Sequence, residues 1–582
     1  MRTFDKIALS VVGMLAFTSC DYLEPRELTQ VDEKTIYQNI SYITQCFNNA
    51  YSYLPSGYNS VGNSLLACAT DEAEAVKNEE SIQNFNIGNW NKYSTLDDRW
   101  ATCYNGIRQC CEVRDGIAGT SWEEYKYANP EDYENRMKLM AAYTQEVRFL
   151  KAYYHYELLR RYGGIPIIDR KLDIDDPDDR YLLTHLKRNT FEECVDFIVD
   201  ECNAVVPELP DSYGDTERGR VTRGAALALK SRVLLFAASD LYNRPGNTDP
   251  YTGYTTGDRQ KRWLAAAEAA QEVIDLGIYS LHNSYEKLFT LSAADKNNAE
   301  VIWERRLPAT NAMEQGNYPI GYEGDTGTCP TQDLVDAYEM TDGTRFDWSN
   351  PMHRADPYEQ RDPRLKMSIL VNGQTWAGRS VECWEGGLDG LPRRNATKTG
   401  YYLRKYLHDN TDLNNSSAKY SRQWLYFRYA EILLNYAEAA CQYGGPDFTV
   451  PDALKPLSPT EAINLVRGRS GVNMPSVAET FAARGETLTK ESLLELIYNE
   501  RRVELVFEDV RWFDARRLMK GPEMLGSAVR GVKVTRNNDG SFSYTPFELE
   551  QRVFKTDYMY FYPIPQTEVA KSNGCLIQNP NW

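Results

Sequence analysis

Histidine is scarce: five occur in 582 residues (His155, His185, His282, His353 and His408), and none of them falls into an HExxH pair. Without that spacing a zinc hydrolase of the common helical type has no ligand set. The 12 cysteines contain no CxxC, so no cysteine zinc site is implied either. Gly-x-Ser-x-Gly and a phosphate-binding glycine loop are also missing, which leaves hydrolysis without visible apparatus and predicts no enzyme and no cofactor. Positive charge is the minority sign, with 65 Lys plus Arg against 83 Asp plus Glu. A net charge of -18 repels phosphate backbones and anionic lipid surfaces, so no nucleic-acid partner is expected. With so many acids, a carboxylate pair at the roughly 5 to 9 Å spacing of a glycosidase arises by chance. The acidic run Asp173, Asp175, Asp176, Asp178 and Asp179 is no EF-hand, because Pro177 occupies a ligand position and the required Gly and Glu are absent. It reads as a solvated turn.

Beyond residue 17 no apolar run is long enough to cross a bilayer. The one apolar run at the start, Ile7 to Phe17 behind Arg2 and Lys6, has the length of a signal h-region. It ends in Phe17-Thr18-Ser19-Cys20, which resembles a bacterial lipobox. Residues 1–19 are therefore expected to be a lipoprotein signal peptide, with Cys20 acylated as the lipid anchor. The body would then be held to the membrane by lipid alone. An ordinary cleaved signal with an incidental Cys is the alternative, and Asp21, which in some bacteria retains lipoproteins at the inner membrane, leaves the choice of membrane open at this point. The other 11 cysteines are an odd number in an exported chain, which argues for buried thiols over a disulfide framework.

Hydrophobic residues make up 42% of the chain, ample for a large core. Met137, Met140, Tyr143, Val147, Leu150, Tyr154 and Leu158 recur at three- and four-residue steps, which predicts a long helix closed by Gly163-Gly164 and Pro166. A second helix follows at 190–205. The pattern returns at 224–242 with 262–276, at 424–443 with 459–469, and at 490–510 with 511–520. Small residues such as Ala225, Ala226, Ala228, Ala265, Ala266, Ala267 and Ala437 sit where facing backbones approach. The fold class is thus mainly α, with four tetratricopeptide-like helical hairpins and minor β-hairpins. One β-hairpin is expected near 532–544, around Asn538-Asp539-Gly540. Irregular stretches at 243–260 and 305–415 interrupt the helices, and the second is rich in Gly, Pro, Asn and Trp. Long ordered loops on a rigid scaffold usually carry function.

Four stretches carry a specific resemblance: Arg148-Phe-Leu-Lys-Ala-Tyr-Tyr with Tyr162-Gly-Gly-Ile-Pro; Gly219-Arg-Val-Thr-Arg-Gly-Ala-Ala; Arg428-Tyr-Ala-Glu-Ile-Leu-Leu-Asn-Tyr-Ala-Glu; and Glu500-Arg-Arg-Val-Glu-Leu-Val-Phe-Glu continuing into Arg511-Trp-Phe-Asp-Ala-Arg-Arg. With Tyr562-Pro-Ile-Pro-Gln and Gln578-Asn-Pro near the end, they resemble SusD/RagB proteins in order along residues 20–582, read as a single domain. The resemblance implies a cell-surface lipoprotein of the outer membrane. Such a protein captures an oligosaccharide and delivers it to a SusC-like TonB-dependent transporter. A RagB-type peptide binder and a helical-repeat adaptor for proteins remain as alternatives.

The charged cluster Glu500, Arg501, Arg502, Glu504, Glu508, Arg511 and Asp514 reads as structural, with Arg501–Glu504 and Glu508–Arg511 as i,i+3 pairs. Arg428, Glu431 and Glu438 would likewise tie helices together. A sugar presents C–H groups on one face and hydroxyls at its edge, so it needs flat rings beside hydrogen-bonding side chains. Two segments offer both. The first holds Asp71, Glu72, Asn84, Asn89, Trp90, Asn91 and Tyr93, matched by position to the region that supplies sugar contacts in SusD-like proteins. The second holds Tyr318 and Tyr322 among glycines, with Trp376 and Trp384 further on. The ligand-binding expectation is Asp71, Asn84, Trp90, Asn91, Tyr93, Tyr318, Tyr322 and Trp384, with Trp90 foremost. Trp303, Trp424 and Trp512 lie in regular apolar segments and belong to the core.

Replacing Cys20 with Ala should abolish acylation and release a folded protein from the membrane. Radiolabelled palmitate checks it: a Cys20→Ala chain that stays labelled and membrane-bound would rule out the lipid anchor.

Overall fold

The computed structural model describes residues 33–59, 61–290, 298–411, 413 and 419–582. The leader and Cys20 lie outside the described residues. Ten helices build the scaffold: α1 (Ile40–Ser52), α2 (Trp100–Gly119), α3 (Pro130–Tyr162), α4 (Phe191–Val205), α5 (Arg223–Ala238), α6 (Arg259–Leu276), α7 (Tyr429–Gly444), α8 (Pro459–Arg467), α9 (Lys490–Glu504) and α10 (Arg511–Arg517). Each of α1 to α7 packs on the next, and α8 and α9 both pack on α7. That succession is a solenoid of helical hairpins, as the repeat pattern predicts.

Local chemistry sets the helix ends. The helix α3, about 50 Å long at 1.5 Å per residue, starts with Pro130 in its first turn and stops at Gly163, whose φ of 76° suits glycine. A Cβ there would also lie 2.3 Å from the Tyr251 carbonyl oxygen, so the following loop can approach only a glycine. Capping boxes start α4 (Thr190 with Glu193) and α8 (Ser458 with Glu461). Ala225, Ala226, Ala266, Ala267, Ala270, Ala437 and Ala440 are all buried, so α5, α6 and α7 meet through small side chains.

Short antiparallel pairs complete the fold: β1 (Ala73–Ala75) with β3 (Thr328–Pro330), β2 (Val301–Thr310) with β8 (Tyr420–Arg428), β4 (Ile369–Leu370) with β7 (Tyr402–Leu403), β5 (Thr375–Trp376) with β6 (Arg379–Ser380), and β9 (Ala528–Arg536) with β10 (Phe542–Gln551). The last pair is the expected hairpin, longer than the sequence suggested. The β8 strand is a correction. Residues 424–428 were expected to open a helix, but Arg422, Trp424 and Tyr426 are buried in alternation, and a period of two belongs to a strand. The helix begins only at Tyr429. Trp303, Trp424 and Trp512 are buried as expected, and the described cysteines are free, nine of them buried. No helix among the described residues is long and apolar enough to cross a membrane.

Buried ion pairs hold distant parts together. Glu504, at the end of α9, receives Arg364 (2.9 Å), Arg428 (2.7 Å) and Arg469 (2.8 Å). Arg428 also reaches Glu300 and Glu508, each at 2.8 Å or less. The cluster is structural, as expected, but its pairs are different. Arg501 binds Asp514 at 2.6 Å and Arg511 binds Asp71 at 2.7 Å. The reason is that α9 ends at Glu504, so Glu508 and Arg511 share no continuous helix face, and Glu504 itself points inward to three guanidinium groups. Glu431 pairs with Arg232, and Glu438 with Arg517, tying α7 to α5 and α10. In the acidic run, Asp176 caps a short helix, Pro177–Thr184, and Asp179 pairs with Arg170.

Removing the shared carboxylate from a buried ion-pair cluster strands its arginines. Glu504→Gln should therefore cost about 3–5 kcal/mol of stability, read as a lowered urea midpoint. A change under about 1 kcal/mol would demote the network to decoration.

Candidate functional site

The pairing of β1 with β3 joins the two segments singled out for ligand contact, and Val76 N–H donates to the Gly327 carbonyl at 2.9 Å just beyond it. Lys398 tightens the same junction by donating to the Ala75 carbonyl (3.0 Å) and to Asn78 Oδ1. Loops 76–84, 318–327 and 376–400 therefore come together although more than 230 residues of chain lie between the first two.

Asp389 organises the middle of this face. Its buried carboxylate accepts from Arg379 at 2.7 and 2.8 Å, from Gly321 N–H at 3.2 Å and from Glu382 N–H at 2.9 Å. The Arg379 guanidinium in turn stacks 3.6 Å from the centre of the Tyr322 ring. Tyr322 shares its hydroxyl proton between the Trp376 and Arg379 carbonyls at 3.1 Å, so its ring is held at the hydroxyl and on one face. Gly321 must be glycine here, because a Cβ would lie 2.4 Å from Asp389 Oδ1. Trp384 follows on the same loop, half-buried, with Gly387 and Gly390 packed close against it and the Arg536 guanidinium 5.3 Å from its ring. A cavity of about 260 Å³ lies beside it, lined by Cys383, Glu385, Leu391, Lys398, Lys533 and Phe547 among others, with the Glu385–Lys533 pair at 2.9 Å.

The expected residues separate into three groups. Tyr322 and Trp384 stand half-exposed on this face, and Tyr318 lies beneath them, 1% exposed, its ring 6.4 Å from Tyr322 and 5.8 Å from Trp376. Asn84 is half-exposed and accepts from Asn89 at 3.2 Å, while Asn91 and Tyr93 are exposed, Tyr93 by 78%. Residues 90–93 lean toward the C-terminal end, where Lys92 donates to the Trp582 carbonyl and accepts from Gln566.

Three expectations are corrected. Trp90 is 3% exposed, packed at 5.3 Å from Phe85, 5.4 Å from Tyr562 and 4.8 Å from Trp582, so its ring is enclosed by other rings and closed to a ligand. Asp71 is spent on Arg511 and Arg502 (2.9 Å). Burial alone would push its carboxyl up, but the two guanidinium groups outweigh that and hold it below the usual range. Tyr318 is likewise a support for the site. Its hydroxyl donates to the His408 carbonyl.

Sequence reasoning missed Asp389, Arg379, Lys398 and Arg536. The run Gly386-Gly387-Leu388-Asp389-Gly390 was the available signal, since glycines crowding one acid mark close backbone approach. A larger cavity, about 910 Å³, lies elsewhere, between α2, the chain around Ile168–Ile174 and Glu568–Leu576. It borders none of the expected residues. Its walls mix aliphatic side chains (Ile168, Leu172, Ile174, Leu576) with Trp100, Tyr104 and polar groups such as Asn105 and Arg108.

Residues 286–582 match the model of the SusD family, and residues 21–235 match a model described as starch-binding associating with outer membrane. SusD-like protein P2 of Formosa agariphila is 23% identical over 591 residues, covering 98% of each chain. A crystal structure of a SusD-like protein from Bacteroides fragilis superposes with a TM-score of 0.74 at 26% identity, covering 95% of this chain and 99% of that one. A second structure from the same species, described as a SusD-like carbohydrate binding protein, gives a TM-score of 0.73 at 22% identity over 93% of this chain and 100% of its own.

Proposed function

The chain belongs to the SusD family, and from that premise we propose that it is a surface glycan-binding lipoprotein that captures an oligosaccharide and hands it to a TonB-dependent outer-membrane transporter. The observation that carries the reading is the loop face on which Tyr322 and Trp384 are held half-exposed by Arg379, Asp389 and Arg536. A ring fixed in advance loses little freedom when a sugar stacks on it. Exposed polar groups within the same loops, among them Asn78, Arg393 and Arg394, can meet the hydroxyl edge. The carbohydrate-binding description of the Bacteroides fragilis relative and the starch-binding description of the matched N-terminal model support the same reading. Binding leaves the ligand intact in this proposal, because stacking and hydrogen bonding need no proton transfer. Acylation of Cys20 would keep the protein in the transporter's membrane, where tethering lets a modest interface suffice.

A glycan array on the protein lacking residues 1–20 identifies the ligand, and calorimetry then reads the site. Trp384→Ala and Tyr322→Ala should each weaken binding by about 1 kcal/mol or more, with the ligand unchanged on chromatography. Trp90→Ala should instead cost about 3–5 kcal/mol of folding stability. Full affinity in both loop variants would remove this face from the reading, and sugar cleavage would overturn the binding role.

The delivery step is tested by mild-detergent affinity purification of the tagged protein followed by mass spectrometry. One barrel transporter should be recovered in near-equal amount. Recovery of this chain alone under several detergents, together with normal glycan uptake in a deletion strain, would refute delivery while leaving binding intact.

A further inference from the structure

Away from the loop face, the C-terminal end of α3, the helix α5, the strand β8 and the turn between α9 and α10 enclose a cavity of about 50 Å³. A water-sized or chloride-sized occupant fits that volume. Three polar atoms on its wall have no hydrogen-bond partner: the Tyr156 hydroxyl, Arg160 Nε and Asp509 Oδ1. Tyr156 is 1% exposed, so bulk water does not satisfy its hydroxyl. Asp509 sits at φ 59°, a left-handed backbone that aspartate adopts only infrequently, and this conformation carries its carboxyl to the wall.

The charges on the wall do not cancel. Arg160 and Arg161 share Glu157, and Arg161 and Arg99 share Asp97, which sets three guanidinium groups against two carboxylates. Arg516, close behind, donates only to the carbonyls of Tyr560, Arg160 and Arg161. The other walls are balanced: Arg232 by Glu431, Arg501 by Asp514, and Glu508 by Arg428 and Lys405. Among the described lining residues, Asp509 is the one carboxylate left without an ion pair. Burial and the nearby Asp97 push its carboxyl up to about 7, against the opposing pull of Arg160, Arg99 and Arg161. Below that pH Asp509 is a neutral O–H donor and joins Arg160 Nε and the Tyr156 hydroxyl as a third unpartnered donor on a wall that also carries the paired carboxylates Asp97, Glu431 and Glu508.

We propose that this cavity is an internal binding site for a small monovalent anion of chloride size, held by Arg160 Nε, the Tyr156 hydroxyl and the Asp509 carboxyl. The anion enters with a proton on Asp509, since an ionised carboxylate would repel it. The sign follows from a folded value raised above the unfolded one: the folded chain keeps the Asp509 proton over a range where the unfolded chain has lost it. The anion's stabilisation is thus present at and below about pH 6 and is lost as pH rises through about 7.

Thermal melts of the whole chain in detergent, in sodium chloride against sodium gluconate at equal ionic strength, test the site. At about pH 6 the Tm should be higher in chloride by about 1 °C or more, and the difference should vanish near pH 8. Asp509→Asn, a permanently neutral donor in a backbone region that Asn tolerates, should keep the difference at both pH values. Tyr156→Phe should reduce it. A crystal grown in bromide should give an anomalous peak within hydrogen-bond reach of Arg160 Nε. Equal Tm values in the two salts at pH 6, or a bromide crystal whose cavity holds only water, would overturn the proposal, and the crystal decides it even if a variant fails to fold. A peak without any chloride stabilisation would mark an adventitious ion only, and also overturns it.

Discussion

Glu504 is the point on which the rest of the molecule depends. Its carboxylate receives guanidinium groups from the middle segment (Arg364), from the last residue of β8 (Arg428) and from the turn after α8 (Arg469). Burial disfavours the charged carboxyl, but Arg469, Arg428 and Arg364 together hold it far below the usual carboxylate range. A carboxylate taken out of water is costly unless every lone pair finds a donor, so the site is stable only when all three arginines arrive together. That requirement locks the relative placement of three chain segments that share no local sequence. The same logic extends outward: Arg364 also meets Glu500, Arg467 bridges Glu500 to Glu339, and Arg428 passes on to Glu508 and Lys405.

A scaffold fixed in this way lets the irregular segment be specific without being helical. Residues 318–400 have little regular structure of their own, yet Asp389 gathers Gly321, Arg379 and Glu382 onto one carboxylate and thereby sets Tyr322. Loops of this kind owe their shape to a few fully satisfied polar hubs, because a half-satisfied hub in a low-dielectric setting would cost more than it contributes. The helices supply the platform through alanine-mediated packing, and the hubs supply the surface. The unpaired wall around Asp509 is the contrasting case. There a tyrosine hydroxyl, a guanidinium nitrogen and a carboxylate oxygen face one cavity without partners, which is why that cavity points to an occupant.

Much of the architecture was legible in the amino-acid order. The periodicity through Met140, Val147, Leu150 and Leu158 marks α3, and the alanines of α5 and α6 mark a close helix pair. The capping residues Thr190 and Ser458 stand where helices begin. Where local reading failed, the failure was one of period or of partner. Residues 424–428 are apolar enough for a helix, and only their pairing with β2 makes them a strand. Arg501 and Glu504 stand three residues apart, but each is claimed by a group from elsewhere in the fold.

The site divides along the same line. Sequence alone determined that Tyr322 and Trp384 sit among glycines in a long irregular stretch, and that Trp303, Trp424 and Trp512 belong inside, because flanking composition is a local property. Whether a given ring faces solvent is not local. Trp90 lies in a polar stretch, between Asn89 and Asn91, and reads as a surface residue, yet Phe85, Tyr562 and Trp582 enclose it. Asp71 reads as a ligand group, yet Arg511, 440 residues away, takes it. Only the tertiary structure could decide these, since burial and charge pairing depend on which distant segments the Glu504 network brings alongside.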